Sequence, residues 1–336
     1  MYQNTHGGDI LQAATLLGCK PEQIIDFSSN INFISPKVKR NISKKALTQY
    51  ATPDYASLKS ALCKTYELPT EQIALFNGAS SAIFELLRLL APKDLFLYAP
   101  LYSEYKKAAS YFAQNTYLIN RFDDLLQQPT RNSTIIFVNP STPDGTYYDL
   151  EKLFPLWEAQ NCTVIIDESF LAFSQGTSIR NKLLSYDKLY IIQSMTKFYA
   201  CAGVRIGAIF SQKKNIDMFI LPAWNLSTFD VEFLEGAVND NKHVTKSKQK
   251  NHENFDTLLA MLEKASFTKK VYSSHANFIL VQTNIPAYIL AQQFLDHKIL
   301  VRDCSNFDFL GNDHLRFAVK DKKALKKLKK AIDALT

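Results

Sequence analysis

The chain has 336 residues, of which 46% are hydrophobic and 12% aromatic, and its 39 Lys and Arg outweigh 32 Asp and Glu to give a formal net charge of +7. This length is sufficient for a large buried core and about two domains. The basic residues come with no zinc-ligand spacing, no recognition motif and no aromatic stacking motif. Nucleic-acid binding is therefore disfavoured, and attraction of anionic small molecules is favoured.

The cysteines are scattered along the chain, at Cys19, Cys63, Cys162, Cys201 and Cys304. Their number is odd and they form no C-x-x-C motif, which predicts free thiols in a reducing cytosol and neither a disulfide framework nor a metal site. The sequence has no N-terminal signal pattern and no run of about 18 apolar residues. We therefore expect a cytoplasmic protein that does not enter a membrane.

Short apolar, β-branched segments alternate with helix-length segments over roughly the second and third fifths of the chain. The predicted strands are residues 73–76, 95–98, 116–119, 134–138, 163–166, 189–192 and 207–210. Buried strands separated in this way are typical of a doubly wound α/β layer, here with a seven-stranded, mainly parallel sheet.

The pattern changes after Pro222. Helical segments are predicted around residues 225–265, followed by strands at 277–282, 300–302 and 314–319 and by a C-terminal amphipathic helix with lysines on its solvent face. This part reads as a smaller α+β domain. We expect three parts: an N-terminal segment (1–35) associated with the small domain and the active site, a large domain (36–225) and a small domain (226–336).

Polar residues follow three of the predicted strands directly. Asn139 comes after residues 135–138, Asp167 after 164–166, and Ser194 after 190–193. Ligands of open α/β sheets bind at the carboxyl ends of the strands, so these side chains are candidates for one site.

Lys197 is the most informative of these residues. It closes the run Ser194-Met195-Thr196-Lys197, and Arg205 follows eight residues later. A lysine flanked by hydroxyls and a guanidinium can form a Schiff base while its neighbours hold a phosphate, which predicts pyridoxal phosphate (PLP) as the cofactor. Asp167 is the candidate partner of the pyridine nitrogen, and a helix N-cap is its alternative role. An isolated lysine would be interpreted as an ordinary surface residue.

The segment that follows the first predicted strand is a candidate phosphate site. Gly78, Ala79 and Ser80 open a helix, whose N-terminus favours an anion, and the Gly-Lys-Ser/Thr of a nucleotide-binding loop is absent from this segment. Tyr102 could stack on the pyridine ring or be a core aromatic residue. Asn139 could donate to the phenolic oxygen of the cofactor or serve in a turn before Pro140.

Four motifs carry a family resemblance: His6-Gly7-Gly8-Asp9, residues 25–32, Tyr50 with Pro53-Asp54-Tyr55, and residues 194–199. Over essentially the whole chain, the sequence resembles the histidinol-phosphate aminotransferase-like branch of the fold type I PLP-dependent transferases. Within that branch it is similar to the L-threonine O-3-phosphate decarboxylases of cobalamin biosynthesis. Phe170 stands where aminotransferases of the branch commonly carry tyrosine, which also favours the decarboxylases.

The resemblance implies a homodimer in which Tyr50 reaches the cofactor phosphate of the neighbouring subunit. It implies that Arg302 and Arg316 bind the anionic groups of the substrate, where each arginine alone would be interpreted as a surface ion pair. It further implies a substrate-binding role for a set of residues that comprises His6, Gly7, Asn32 and Asn139.

The implied reaction is decarboxylation of L-threonine O-3-phosphate or L-serine O-phosphate to an aminoalcohol phosphate for the cobamide nucleotide loop. Lys197 and Asp167 are the expected catalytic residues, and Lys197 is expected to reprotonate the substrate Cα. The alternative is transamination of histidinol phosphate. A PLP-binding regulator is a third class, disfavoured because no DNA-binding domain is expected before His6.

Overall fold

The computed structural model describes residues 7–38 and 44–335 of the chain. The first elements in chain order are α1 (Ile10–Leu16), β1 (Ile25–Asp26), α2 (Lys44–Thr48) and α3 (Ala56–Tyr66). The middle of the chain forms β2 (Ile73–Asn77), α4 (Gly78–Leu90), β3 (Asp94–Ala99), α5 (Ser103–Phe112), β4 (Asn115–Asn120), β5 (Thr134–Val138), α6 (Leu150–Ala159), β6 (Thr163–Asp167), β7 (Leu189–Ser194) and β8 (Ile206–Phe210).

The remainder of the chain is helical at first and then mixed. Its elements are α7 (Lys213–Ile216), α8 (Thr228–Val238), α9 (Asn241–Glu263), β9 (Thr268–Val271), β10 (Phe278–Thr283), α10 (Ala287–Asp296), β11 (Ile299–Leu300), β12 (Arg302–Asp303), β13 (His314–Ala318) and α11 (Lys322–Ala334).

A seven-stranded sheet, the central sheet, has the order β2-β8-β7-β6-β5-β3-β4. Strand β8 runs antiparallel to both of its neighbours, and the other adjacent pairs are parallel. The predicted doubly wound layer with a mainly parallel sheet is thus confirmed. Both faces of the sheet are buried: Ile135 and Phe137 belong to one apolar cluster, and Ile136 and Val138 belong to another on the opposite face.

A four-stranded antiparallel sheet, the small sheet, has the order β12-β13-β10-β9. Strands β10 and β13 agree with two of the predicted strands. The predicted strand 300–302 is divided between β11 and β12, because β11 pairs with the N-terminal β1 instead of the small sheet. Strand β9 was not predicted, since Lys269 and Lys270 are exposed and its apolar content is low.

The N-terminal segment packs against the chain's last third. Strand β1 runs parallel to β11, and Phe27, directly after β1, is fully buried in the apolar cluster of the small sheet. The C-terminal helix α11 packs Leu325, Leu328 and Ile332 inward and leaves its lysines exposed, as the spacing predicted.

Within residues 7–38 and 44–335, none of the helices combines the length and apolarity that crossing a bilayer requires. In the same ranges, His, Cys, Asp and Glu side chains form no group of three or more that could hold a metal ion.

Candidate active site

A cleft of about 600 Å³ lies at the carboxyl ends of β5, β6 and β7, where Val138, Asp167 and Ser194 line it. The small sheet and the N-terminal segment supply its other walls. The cleft brings together most of the predicted site residues, namely Gly7, Ala79, Ser80, Tyr102, Asp167, Ser194, Thr196, Lys197, Arg205, Arg302 and Arg316.

Lys197 lies three residues beyond the end of β7 with its amine inside the cleft. Its Nζ donates to Ser194 Oγ at 3.5 Å, and Ser194 Oγ lies 2.9 Å from Thr196 Oγ1. Burial lowers the pKa of Lys197; the Asp167 carboxylate opposes this shift, while the cations of Arg205 and Arg316 add to it. A lowered pKa increases the neutral fraction of the amine, which is the form that attacks an aldehyde.

The start of α4 and the start of β8 form a cradle beside Lys197. Gly78 has a φ of +82°, and a Cβ there would lie 2.8 Å from Arg205 Nη2. A Cβ at Gly207 would collide with the backbone nitrogen of Ala79. The two glycines let Arg205 and the strand approach the helix N-terminus closely. The amides that open α4, the Arg205 cation and the hydroxyls of the Lys197 loop together fit a phosphate group.

Asp167 ends β6 and is 6% exposed at the floor of the cleft. Its Oδ2 accepts a hydrogen bond from Tyr105 Oη at 2.8 Å, and its Oδ1 accepts one from the Ser169 backbone N–H at 2.9 Å. Tyr105 was missed by sequence reasoning. The signal that could have found it is its position three residues after Tyr102, in the first turn of the helix that Tyr102 precedes.

Two aromatic side chains line the cleft near this floor. Tyr102 precedes α5, and its hydroxyl lies 3.4 Å from Ser80 Oγ. Phe170 packs edge-on against Phe278 of the small sheet, with ring centroids 5.0 Å apart. Tyr102 was predicted either to stack on the pyridine ring or to be a core aromatic residue, and it lines the cleft.

The arginines of the small sheet are neighbours across β12 and β13, where Arg302 pairs with Arg316. Arg316 donates to Thr142 Oγ1 at 3.0 Å and to the Ser28 carbonyl at 3.1 Å, and burial lowers its pKa to about 10. Within the described residues no carboxylate forms an ion pair with Arg316, and its Nε has no hydrogen-bond partner. A buried cation of this kind, facing a cleft, suits an anionic ligand.

The N-terminal segment closes this end of the cleft. The Gly8 amide donates to Ser28 Oγ at 2.7 Å, and a Cβ at Gly7 would collide with the Ser28 carbonyl. Asp26 Oδ1 accepts from the Ser28 amide at 2.8 Å and so fixes the loop. Sequence reasoning did not single out Asp26 and Ser28, although both belong to the motif of residues 25–32.

Two of the predicted site residues, Asn32 and Asn139, do not line the cleft. Asn32 Nδ2 donates to Phe198 O and to Ser247 Oγ, each at 2.8 Å, and the Asn32 amide donates to Lys197 O at 3.0 Å. Asn139 Nδ2 donates to Tyr148 O at 3.0 Å, and its Oδ1 accepts from the Tyr148 amide at 2.9 Å. Both side chains are buried, and these hydrogen bonds hold loops together.

Two further predicted residues lie elsewhere. Tyr50 is 78% exposed and stacks on Trp224 with centroids 4.5 Å apart, outside the cleft of its own chain. His6 falls outside the described residues. The predicted residue Gly78 contributes to the phosphate cradle through its backbone, which lies beside Arg205.

Comparison with known proteins places this site in context. The family model described as "Aminotransferase class I and II" matches residues 22–335. The chain is 32% identical to the adenosylcobalamin biosynthesis bifunctional protein CobDQ of Leptospira interrogans, over 98% of the chain and 40% of that protein. It is 26% identical to the threonine-phosphate decarboxylase of Salmonella typhimurium, over 95% of the chain and 93% of that enzyme.

A solved structure of an aminotransferase has a similar fold. The histidinol-phosphate aminotransferase from Clostridium acetobutylicum superimposes with a TM-score of 0.84 and 27% sequence identity, over 92% of this chain and 98% of that one. Relatives with both activities therefore share the fold described above.

Proposed function

The chain belongs to the aminotransferase class I and II family, and we propose that within it the protein decarboxylates a phosphorylated L-amino acid, L-threonine O-3-phosphate or L-serine O-phosphate. Its fold is that of the fold type I PLP enzymes. The observation that carries the proposal is a second basic end of the cleft, where buried Arg316 donates to the carbonyl of Ser28 and the Gly8 amide donates to Ser28 Oγ.

Pyridoxal 5'-phosphate is the cofactor of this family, and the residues present fit it. Lys197 would hold its aldehyde carbon, Asp167 would face its pyridine nitrogen, and the cradle of Ala79, Ser80 and Arg205 would hold its phosphate. When bound, the cofactor supplies an electron sink for the electron pair released at the substrate Cα.

The substrate's anionic groups are assigned to the other end of the cleft. A planar guanidinium binds a carboxylate or a phosphate through two parallel hydrogen bonds, so Arg302 and Arg316 can fix both anionic ends of a small phosphorylated amino acid. Binding of the side-chain phosphate, at a distance from the reacting carbon, orients the bond between Cα and the carboxylate. The binding energy of the phosphate is in this way used to align the reacting carbon.

Lys197 is proposed to move the proton that completes the reaction. As the bond between Cα and the carboxylate breaks, CO₂ leaves. The electron pair of the broken bond stays with Cα. A proton from Lys197 Nζ then replaces the carboxylate on Cα. The lowered pKa of this amine makes proton release easier than from an ordinary lysine.

The test is to incubate the purified holoenzyme separately with L-threonine phosphate, L-serine phosphate, and histidinol phosphate plus 2-oxoglutarate, and to identify the products. We expect CO₂ and the aminoalcohol phosphate without any requirement for 2-oxoglutarate. Formation of glutamate from 2-oxoglutarate, without release of CO₂ from the phosphorylated amino acids, would refute decarboxylation.

Transamination of histidinol phosphate is the second candidate. It is favoured by the likeness to the Clostridium acetobutylicum enzyme, and it would use the same cofactor-binding residues. The two reactions differ in whether the carboxylate or the proton on Cα is removed.

We also propose a homodimer, in which Tyr50 contacts the cofactor phosphate bound to the partner subunit. Tyr50 is strongly exposed and lies next to exposed Trp224, so the single chain leaves an aromatic surface uncovered. Light scattering should give the mass of two chains, and Tyr50→Ala should weaken cofactor binding. Tyr111→Ala, on an equally exposed tyrosine of α5, is the matched control.

A further inference from the structure

Helix α5 carries a buried tyrosine beneath the cleft-lining Tyr102. Tyr105 is 0% exposed and packs in the apolar cluster that also contains Ala82 and Val138. Its amide donates to the Tyr102 carbonyl at 3.1 Å, in the first turn of the helix. The core therefore holds the Tyr105 side chain in place, and one turn of backbone connects Tyr105 to Tyr102.

The only polar atom of the Tyr105 side chain meets Asp167. Tyr105 Oη donates to Asp167 Oδ2 at 2.8 Å. Burial, and after it the negative charge of Asp167, raise the pKa of Tyr105 well above its usual range. The phenol accordingly keeps its proton and acts as a donor at every pH at which an enzyme of this family works.

The remaining contacts of Asp167 leave room for a further partner. Its Oδ1 accepts from the Ser169 amide at 2.9 Å, and each carboxylate oxygen can accept more than one hydrogen bond. The next acid in the sequence, Glu168, is directed elsewhere, because Arg180 Nη1 lies 3.2 Å from its Oε2 and Ser178 Oγ donates to it. Lys197 and Asp167, both lining the cleft, attract each other electrostatically.

We propose that Tyr105 is a positioning residue whose hydrogen bond fixes the orientation of the Asp167 carboxylate and stabilises the negative charge there, so that the pyridine nitrogen of the bound cofactor retains its proton. A hydrogen bond to a carboxylate stabilises the charged form and lowers its affinity for a proton. When a carboxylate and a pyridine nitrogen share one proton, a less basic carboxylate leaves that proton on nitrogen. The inference rests on the assignment of Asp167 to the pyridine nitrogen, and not on the choice between decarboxylation and transamination.

Tyr105→Phe removes the hydroxyl and keeps the ring. The variant and the wild type are loaded with PLP labelled with ¹⁵N in the ring, and the ¹⁵N chemical shift of the holoenzyme is recorded. We expect a pyridinium shift in the wild type and a shift displaced toward neutral pyridine in Tyr105→Phe. Equilibrium dialysis should also show roughly tenfold weaker cofactor binding, the usual order for one hydrogen bond to a charged group.

The matched control is Tyr190→Phe. Tyr190 is buried in the same apolar cluster, lies at the start of β7 and makes no contact with Asp167, so its variant should retain the wild-type ¹⁵N shift. A purely structural role for Tyr105 would lower thermal stability and leave the ¹⁵N shift unchanged, and that outcome would overturn the proposal.

A double variant tests whether Tyr105 acts through Asp167. Cofactor binding to Asp167→Asn with Tyr105→Phe should be no weaker than to Asp167→Asn alone, because the carboxylate that Tyr105 supports is already gone. Losses that add in the double variant would contradict the proposal. No amino-acid substrate is present in these measurements, so they stand apart from the test of which reaction the enzyme performs.

Discussion

At the scale of single residues, the cleft stabilises the charge of Asp167 and destabilises the charge of Lys197. Asp167 receives two hydrogen bonds that stabilise its charge, whereas burial disfavours the charge of Lys197 and lowers the pKa of the amine. A lowered pKa increases the neutral fraction of the Lys197 amine, which is the form that attacks an aldehyde.

Arg316 offers a residue-scale prediction about the substrate. Arg316→Ala should lower kcat/KM for the phosphorylated amino acid, with a loss of about 2–4 kcal/mol in transition-state stabilisation, because a desolvated anion loses its guanidinium partner. Arg316→Lys should recover only part of this loss, since an ammonium lacks the planar fork. Steady-state kinetics on fully loaded enzyme gives the measurement.

The control for Arg316 is Arg88→Ala on the exposed face of α4, where Arg88 pairs with Glu85 at 2.8 Å. It should leave kcat/KM unchanged. Equal losses in the two variants would show that Arg316 does not contact the substrate. Cofactor content and thermal unfolding of each variant identify any folding defect.

The two asparagines show what a sequence cannot specify about a residue. Position after a strand correctly placed Asn139 near the site, and the motif of residues 25–32 placed Asn32 near it. What each amide binds depends on loops distant in sequence: Asn139 bonds Tyr148, and Asn32 bonds Phe198 and Ser247. A short polar side chain has no pattern that reveals such partners before the chain folds.

At the scale of elements, the contact between β8 and α4 determines the phosphate cradle. Gly207→Ala should lower the free energy of unfolding by about 1–3 kcal/mol, because the new Cβ meets the Ala79 backbone, which cannot move away without displacing the helix. Cofactor binding should weaken as well, since the amides that open α4 would shift. Denaturant unfolding and equilibrium dialysis measure the two effects.

Gly203→Ala is the matched control in the same loop region, because a Cβ at Gly203 would have nothing within 4 Å. It should behave as wild type in both measurements. A Gly207→Ala protein that binds the cofactor normally would indicate that the cradle does not depend on this close approach.

Helix α9 connects the N-terminal segment to the Lys197 loop through His243. The His243 Nε2 lies 2.9 Å from Ile34 O and 3.1 Å from Ser247 Oγ, and the imidazole ring packs against Phe198 and Tyr199. Burial lowers the pKa of His243, with Ile34 and Asp240 opposing the shift. The neutral imidazole is therefore the form that suits this position.

This shift predicts a pH dependence of stability. Below about pH 6.5 the unfolded chain takes up a proton at His243 while the folded chain resists it, so the free energy of unfolding falls as pH decreases through this range. His243→Gln should show a smaller fall between pH 7.5 and 5 than the wild type, because the titrating group is gone. Parallel pH profiles of the two apoproteins in urea would contradict this prediction.

Strands were easier to predict than their directions and edges. All strands of the central sheet were located from apolar runs, which burial on both faces produces irrespective of direction in every strand except the largely exposed edge strand β4. For the same reason the antiparallel orientation of β8 was not apparent. The lysine-bearing edge strand β9 and the two-residue strands β1, β11 and β12 depend on neighbours that the local pattern does not reveal.

At the scale of the whole molecule, the cleft is assembled from three distant parts of the chain. The central sheet supplies the cofactor side, the small sheet supplies Arg302 and Arg316, and the N-terminal segment supplies Gly7 and Ser28. Lys106, beside the cleft on α5, pairs with Asp308 at 2.7 Å and joins the first two parts. The sequence indicated each part separately, but only the fold shows their convergence.

The N-terminal segment therefore provides the last prediction. Removing residues 1–8 should lower kcat/KM for the phosphorylated amino acid by on the order of tenfold or more, because the Gly8–Ser28 contact that closes the arginine end of the cleft is lost. Cofactor retention should change little, since no cofactor-binding residue of the central sheet is removed. Kinetics and cofactor absorbance on the same preparation separate the two effects.

If the shortened enzyme decarboxylates at an undiminished rate, the N-terminal segment takes no part in the site. The resemblance of residues 6–9 to the decarboxylases would then no longer support decarboxylation as the function. Transamination of histidinol phosphate would become the better explanation of the cleft.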